Sequence, residues 1–291
     1  MNFPNWLDRV EYPFAPRRVS TTDGEMSCVD EGAGEVVVLV HGTPTWSFEW
    51  RHVIRALRPT HRVVAPDHLG FGLSDRPAGA DYRPEAHARR FAECMAAVLP
   101  VGQAVTLVVH DFGGPIALDW ALANPERVKR VVLVNTWLWS MADDAAMRRK
   151  ATLAGGPLGR WLYRRLNASV RLIMPSAYGD RRKLTKAIHA QYLAVFPDAE
   201  SRERVLFALA KALLGSGGFY DELWSRRAEL KRMSPVIMWG LKDGAFPPSF
   251  LTLWREVFPE APMTTFGYAG HWPHEEAPEE FVAALLEVMD R

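Results

Sequence analysis

The sequence has few of the features that mark secreted or membrane-spanning chains. It has only two cysteines among 291 residues, Cys28 and Cys94, and both lie in apolar stretches. We therefore expect buried free thiols and no disulfide framework. No apolar run approaches the ~20 residues that a membrane-spanning helix needs, and the first residues contain no apolar signal core. These absences predict a cytoplasmic protein without a membrane span.

Net charge is also nearly absent, at +1, and this argues against nucleic acid as a partner. The chain is 48% hydrophobic, which predicts a substantial folded core. Eleven tryptophans are more than a core usually needs, and they favour an aromatic-lined pocket for an apolar small molecule. No pattern in the sequence indicates an oligomeric state.

Buried-strand patterns alternate with helix-length segments. After a predicted hairpin around Asp23-Gly24, the apolar runs are EVVVLVHG (35–42), HRVVAPD (61–67), AVTLVVHD (104–111), VKRVVLVNT (128–136), SPVIMWG (234–240) and MTTFGYAG (263–270). Continuous Val, Ile and Leu runs fit a parallel sheet that is covered on both faces. The alternation predicts a mostly parallel, doubly wound α/β sheet.

The interval 137–233 breaks this alternation because it contains no convincing strand and reads as several helices. We predict a helical cap over 137–233, inserted into an α/β core made of 1–136 and 234–291. The cap would cover the carboxyl edge of the sheet, where ligands bind in open α/β folds. It carries 18 Lys and Arg residues against 9 Asp and Glu residues, and we interpret this excess as solvated helix faces rather than an anion-steering surface.

The stretch TLVVHDFGGPIAL (106–118) is typical of a nucleophile elbow, a sharp strand-to-helix turn that presents one side chain. That side chain is Asp111. Asp243 follows the run at 234–240, and His271 follows the last run. A nucleophile, an acid and a histidine in this chain order are typical of the α/β-hydrolase fold. Each position has a simpler explanation, respectively a helix N-cap, a turn and a loop histidine, but the shared order favours a triad.

Competing sites are weaker. Ser74 in GLSDR lacks the second glycine of a serine elbow, and Ser216 in GSGG does not follow a strand. His274 could replace His271 as the base. No HExxH motif or Cys/His cluster is present, so we predict no metal site, and no other motif calls for a cofactor.

An aspartate nucleophile selects a particular chemistry. If serine displaced a leaving group at an sp³ carbon, the product would be an ether, which does not hydrolyse. Aspartate gives an ester, and water can attack the carboxyl carbon of that ester and regenerate the enzyme. The elbow therefore predicts displacement at saturated carbon, chiefly opening of a carbon–halogen bond or an epoxide.

The remaining roles follow from this chemistry. His271 would activate the water, with Asp243 orienting it and supporting its charge. The oxyanion formed during ester hydrolysis needs backbone N–H donors. We expect one from Phe112, directly after the nucleophile, and one from Thr43 in the loop after His41-Gly42.

At this level of detail the sequence resembles the haloalkane dehalogenase family. The segments that carry the resemblance are HGTPTWSFEWR (41–51), APDHLGFGLSDRP (65–77), HDFGGPIALDWALANPERVKRVVLVNT (110–136), WGLKDGAFPP (239–248) and AGHWPHEE (269–276). The resemblance implies Asp111 as nucleophile, Asp243 as acid and His271 as base. Some members place the acid one strand earlier, but no acidic residue occurs there before Asp143.

The chain departs from the family at the leaving-group site. Family members usually hold the halide with a tryptophan directly after the nucleophile, where this chain has Phe112. A second donor is often an asparagine in the loop that here carries Thr43, or a cap tryptophan, for which Trp137 and Trp139 are candidates beside Trp161 and Trp224. These departures predict weak or absent chloride release.

The resemblance leaves alternatives open. Epoxide hydrolases use the same triad and add two cap tyrosines, for which the candidates are Tyr163, Tyr178, Tyr192 and Tyr220. The family also includes β-lactone decarboxylases, and EYPFAPRR (11–18) is similar to that branch. Their leaving group is a carboxylate, which needs no halide site. A ligand-binding module that has kept the fold is the non-enzymatic alternative.

Overall fold

A computed structural model describes residues 3–289, and an eight-stranded sheet forms its centre. The strands are β1 (Arg17–Thr21), β2 (Gly24–Glu31), β3 (Val36–Val40), β4 (Arg62–Pro66), β5 (Val105–Asp111), β6 (Val128–Thr136), β7 (Val236–Gly240) and β8 (Met263–Phe266). Their spatial order is β1-β2-β4-β3-β5-β6-β7-β8. The first two are antiparallel, and β3 to β8 run parallel. This confirms the predicted α/β fold.

Thirteen α-helices pack around this sheet within the described residues. They are α1 (Arg51–Leu57), α2 (Pro84–Val98), α3 (Gly113–Ala123), α4 (Ala145–Gly155), α5 (Pro157–Leu166), α6 (Met174–Ala177), α7 (Lys186–Val195), α8 (Ala199–Ser201), α9 (Ala208–Gly215), α10 (Gly217–Ser225), α11 (Pro248–Val257), α12 (Pro273–Glu276) and α13 (Pro278–Met289). Short 3₁₀ segments precede α1, β6 and β7.

The central strands explain the continuous apolar runs of the sequence. Every residue of β3 and β5 is buried, because helices cover both faces of the sheet. β5 pairs with β3 on one side and with β6 on the other. Since β5, β7 and β8 are parallel, the segments that follow them leave the sheet at the same edge.

The interval 137–233 contains helices and no strand in the structure, as the sequence pattern predicts. Whether it forms a separate cap domain stays a prediction, and the outermost residues of the predicted core, 1–2 and 290–291, lie outside the described residues. Two details differ from expectation. The segment 158–174, which reads as one continuous helix in the sequence, breaks where Asn167 takes a left-handed φ of 51° and ends α5, before a π-helical turn. The helix α10 was not predicted.

Cys28 and Cys94 are both free and buried, which confirms the expectation of buried thiols. The membrane prediction is consistent with the helices: in the part of the chain that the structure describes, none is long and apolar enough to cross a bilayer.

Candidate active site

The turn between β5 and α3 presents Asp111 at its apex. Asp111 has a φ of 50°, a left-handed conformation that is rare for a residue with a side chain. The two glycines that follow permit close packing: a Cβ on Gly113 would lie 2.4 Å from the Val40 carbonyl oxygen, and one on Gly114 would lie 1.9 Å from Thr136 Oγ1. The HDFGG sequence therefore has the local properties that a nucleophile elbow requires.

Both oxygens of the Asp111 carboxylate have neighbours. The Thr43 amide donates a 2.8 Å hydrogen bond to Oδ1, and Nε2 of His271 lies 3.4 Å from Oδ2. A Cβ on Gly42 would lie 2.3 Å from Oδ1, so the loop approaches the carboxylate this closely only with glycine at that position. Phe112 is buried beside them, and the role of its amide stays a prediction.

Asp243 meets the other side of the imidazole. Its Oδ2 lies 2.8 Å from Nδ1 of His271 and also accepts a 2.8 Å hydrogen bond from the Asn135 amide. The backbone amides of Ala245 and Phe246 donate to Oδ1 at 2.7 and 3.0 Å. These bonds fix the carboxylate so that one oxygen faces the imidazole.

Electrostatics favour the charged forms of this group. Burial alone would lower the pKa of His271, but the carboxylates of Asp243 and Asp111 raise it to about 10. Burial would raise the pKa of Asp243, yet the charge and hydrogen bond of His271 lower it. The neighbouring carboxylates therefore favour the imidazolium form of His271.

Sequence reasoning missed two supporting residues. Asn135, next to last in β6, has a φ of 33° and ties Asp243 to β7, because its Oδ1 also accepts from the Gly240 amide at 2.9 Å. His110, directly before the nucleophile, donates from Nε2 to the His271 carbonyl at 2.8 Å. The only signal for Asn135 was its place near the end of β6, and the only signal for His110 was its place directly before the nucleophile elbow.

His274, the competing base, lies in a separate buried cluster. Its Nε2 is 3.8 Å from Oε1 of Glu49, and Nδ1 of His110 is 3.2 Å from the same oxygen. Burial would raise the pKa of Glu49, but the two imidazoles lower it. One ligand atom from each of these three residues lies within 4.8 Å of the others, so they are the set that could hold a metal ion. The Glu49 carboxylate already lies within ion-pair distance of the His110 and His274 rings. That the protein functions without a metal stays our prediction.

An apolar cavity of about 410 Å³ has Asp111, Phe112 and His271 in its wall. Thr43 borders it on the side of the β3 loop. The helical interval contributes much of the remaining wall, including Met147, Leu153, Leu162, Tyr163, Leu172, Ile173, Leu206 and Ala210. Asp111 and His271 therefore face a space suited to an apolar organic molecule.

The two predicted pocket tryptophans have different positions. Trp137 lines the cavity, and its ring packs edge-on against Phe112 with centroids 4.7 Å apart. Trp139 is not among the residues that line this cavity, and a role for it in the pocket stays a prediction. Its ring packs edge-on against Phe250 and Trp254 of α11.

The four candidate tyrosines do not form the pair that epoxide opening would use. Tyr163 lines the cavity. The hydroxyls of Tyr178 and Tyr192 both donate to Glu275, and Tyr220 is buried outside the cavity wall. Among the described residues, a single tyrosine therefore borders the cavity.

An eight-stranded α/β sheet with an acid elbow, a second acid and a histidine at its carboxyl edge defines an α/β-hydrolase. The family model described as "alpha/beta hydrolase fold" matches residues 35–278. Haloalkane dehalogenase 2 of Mycobacterium tuberculosis is 36% identical over 283 residues, which cover 95% of each chain. Cis-3-alkyl-4-alkyloxetan-2-one decarboxylase of Shewanella oneidensis is 32% identical over 95% of this chain and 89% of its own.

The solved structure of haloalkane dehalogenase DbeA from Bradyrhizobium elkani is similar to this chain, with a TM-score of 0.80 and 21% sequence identity. The match covers 94% of this chain and 99% of the DbeA chain, and it shows a shared fold. The chain thus belongs to the haloalkane dehalogenase family of α/β-hydrolases and is an enzyme of that type.

The electrostatic arrangement predicts how His271 titrates. Because its pKa is raised, its ion pairs stabilise the folded protein fully below about pH 6.5, and this contribution is lost as pH rises through about 10. Asp111→Asn removes one of the two supporting carboxylates, so we expect a lower pKa for His271. Nitrogen-15 NMR of the imidazole measures it, with Asp119→Asn on α3 as control. A wild-type value near 6.5, or no change in Asp111→Asn, would contradict this electrostatic description.

Proposed function

We propose that this enzyme opens a bond at saturated carbon through an ester on Asp111, as a haloalkane-dehalogenase-like hydrolase. One observation carries the proposal: an aspartate, not a serine, occupies the elbow, 3.4 Å from a histidine that a second aspartate holds at 2.8 Å. A buried carboxylate beside an apolar cavity is suited to displacing a leaving group from a bound organic molecule. The helical interval 137–233 would act as the cap that closes this cavity.

In the first step, a carboxylate oxygen of Asp111 attacks the substrate carbon and the leaving group departs. The covalent ester that results has no negative charge on Asp111. The Thr43 amide already donates to Oδ1 at 2.8 Å and can stay on that oxygen when it becomes an oxyanion in the next step. The Phe112 amide is our candidate for the second donor.

In the second step, His271 removes a proton from water, which attacks the carboxyl carbon of the ester. An imidazole with a pKa of about 10 holds a proton at neutral pH, and it must lose that proton before it can act as a base. Ester formation removes the Asp111 charge and hydrogen bond that help to raise this pKa, while burial, which lowers it, and Asp243, which raises it, both remain. The lowered pKa lets Nε2 release its proton to solvent, and the neutral imidazole then takes a proton from the attacking water.

The leaving-group site favours a second candidate, opening of a β-lactone. Phe112 has no N–H beyond its backbone, and Thr43 offers one hydroxyl where the family commonly has an asparagine. A lactone leaves as a carboxylate within the same molecule and needs no halide site. The cis-3-alkyl-4-alkyloxetan-2-one decarboxylase of Shewanella oneidensis, at 32% identity, supports this alternative. Separate assays of bromide, diol and olefin with bromoalkanes, epoxides and β-lactones distinguish the products.

Loss of the base should separate the two steps. In His271→Phe the displacement needs only Asp111, whereas ester hydrolysis loses its base, so steady turnover should fall by roughly 10²–10⁴-fold. The variant should release about one leaving group per enzyme and then stop. Intact-protein mass spectrometry should detect the substrate mass, and a digest should assign it to the peptide that carries Asp111. His61→Phe, before β4 and away from the triad, is the control. Continued turnover in His271→Phe would refute His271 as the base.

A donor beside the leaving group should improve dehalogenation. Phe112→Trp adds an indole N–H next to Asp111, and one such donor is worth up to roughly 10²-fold in rate. We therefore expect faster bromide release from bromoalkanes, measured by ion chromatography. Phe112→Leu changes the ring without adding a donor and should bring no gain. Fast chloride release by the wild type would show that the existing residues already stabilise the halide.

A further inference from the structure

Six large apolar side chains lie exposed within residues 153–173 of the helical interval. They have exposed fractions between 41% and 58% and form what we call the apolar rim: Leu153, Leu158, Trp161, Leu166, Leu172 and Ile173. Single exposed apolar residues are ordinary, but six within 21 residues of sequence are not. Leu153, Leu172 and Ile173 also line the cavity that contains Asp111, so the rim is continuous with the cavity wall.

The helix α5 shows how the rim is built. Only Gly159 and Tyr163 of its ten residues are buried. At 100° per residue, Trp161, Leu158 and Leu166 fall on one continuous arc of the helix. This arc lies beside the face that borders the cavity. An amphipathic helix that leaves tryptophan and leucine in water has an apolar face without a partner in the described chain.

Basic residues accompany the rim. Arg149, Lys150, Arg165 and Arg171 are exposed, and none has an acidic partner within 4.0 Å among the residues described. By contrast, Arg160 and Arg164, which point away from the arc, both pair with Glu203. The rim therefore combines exposed leucine and tryptophan with unpaired cations, the composition of helices that lie in the interface of an anionic membrane.

We propose that the apolar rim docks on the surface of an anionic lipid bilayer. Trp161 and the leucines would enter the headgroup region, and Lys150, Arg165 and Arg171 would contact phosphate groups. A second copy of the chain fits less well, because a two-fold interface would bring these unpaired cations against one another. Docking would let an apolar substrate pass from the bilayer into the cavity. That consequence rests on the proposed function, whereas lipid binding does not.

The test is flotation of the full chain with vesicles. Phosphatidylcholine vesicles containing phosphatidylglycerol should carry the protein upward, and vesicles of phosphatidylcholine alone should carry much less. Trp161 is the most exposed of the chain's tryptophans, all of which lie within residues 3–289, so its fluorescence should shift to shorter wavelength on the anionic vesicles. Trp161→Phe should remove this shift.

Charge and apolar surface can be removed separately. Leu158→Asp should lower the partition coefficient about tenfold or more, as expected when one large side chain no longer enters an apolar phase. Arg165→Glu should weaken binding to the anionic vesicles. Binding of the wild type to these vesicles should also decrease as salt is added. Val101→Asp replaces an apolar residue outside the rim that is more exposed than Leu158, and it should bind as the wild type does.

Two results would overturn the proposal. One is a wild type that stays in solution with both kinds of vesicle. The other is a Val101→Asp variant that loses binding as much as Leu158→Asp does. If light scattering finds a dimer that Leu158→Asp disrupts, and vesicles do not bind, the rim belongs to a second copy.

Turnover of a short, water-soluble bromoalkane is measured in parallel, since neither Leu158 nor Trp161 lines the cavity. A chain that binds vesicles but turns over nothing would contradict the proposed function and leave the docking surface standing.

Discussion

The imidazole of His271 is buried between two carboxylates, and the geometry of the site depends on this arrangement of charge. A buried cation is costly unless it is paired, and Asp243 at 2.8 Å supplies the closer partner. Asp243 must itself be fixed, and Asn135 together with two backbone amides does so. Asp111 must approach from the opposite side, which requires the left-handed turn after β5. The position of the imidazole is therefore determined by residues that follow two other strands, β5 and β7.

Hydrogen bonds from other elements hold the loop that carries His271. Its backbone amide donates to the Ala177 carbonyl of α6 at 2.9 Å, and its carbonyl accepts from His110 at 2.8 Å. The Glu276 carboxylate accepts from the Gly270 amide at 2.7 Å. One of these contacts comes from the helical interval and another from the residue before the nucleophile. A movement of α6 would thus displace the backbone of His271, to which it is hydrogen-bonded.

The fold and the positions of Asp111, Asp243 and His271 after their strands could be predicted because they depend on local signals. Apolar runs mark the parallel strands, and the glycines after Asp111 mark the turn. The helix ends within the helical interval were harder to predict. Asn167 ends α5 with a left-handed φ, but a single asparagine does not by itself require a helix to end. Trp139 was harder to place, because a tryptophan near a strand end can face the cavity or pack on α11 equally well. Asn135 and His110 act through tertiary contacts, which the sequence does not display.

In the proposed mechanism, the oxygen in the product comes from Asp111, and water attacks the ester rather than the substrate carbon. A single turnover with enzyme in excess, in water labelled with oxygen-18, tests this directly on any halide or epoxide that the wild type consumes. We predict that the first product carries unlabelled oxygen and that the label appears in the peptide containing Asp111. Labelled product in the first turnover, with an unlabelled Asp111 peptide, would contradict the covalent mechanism.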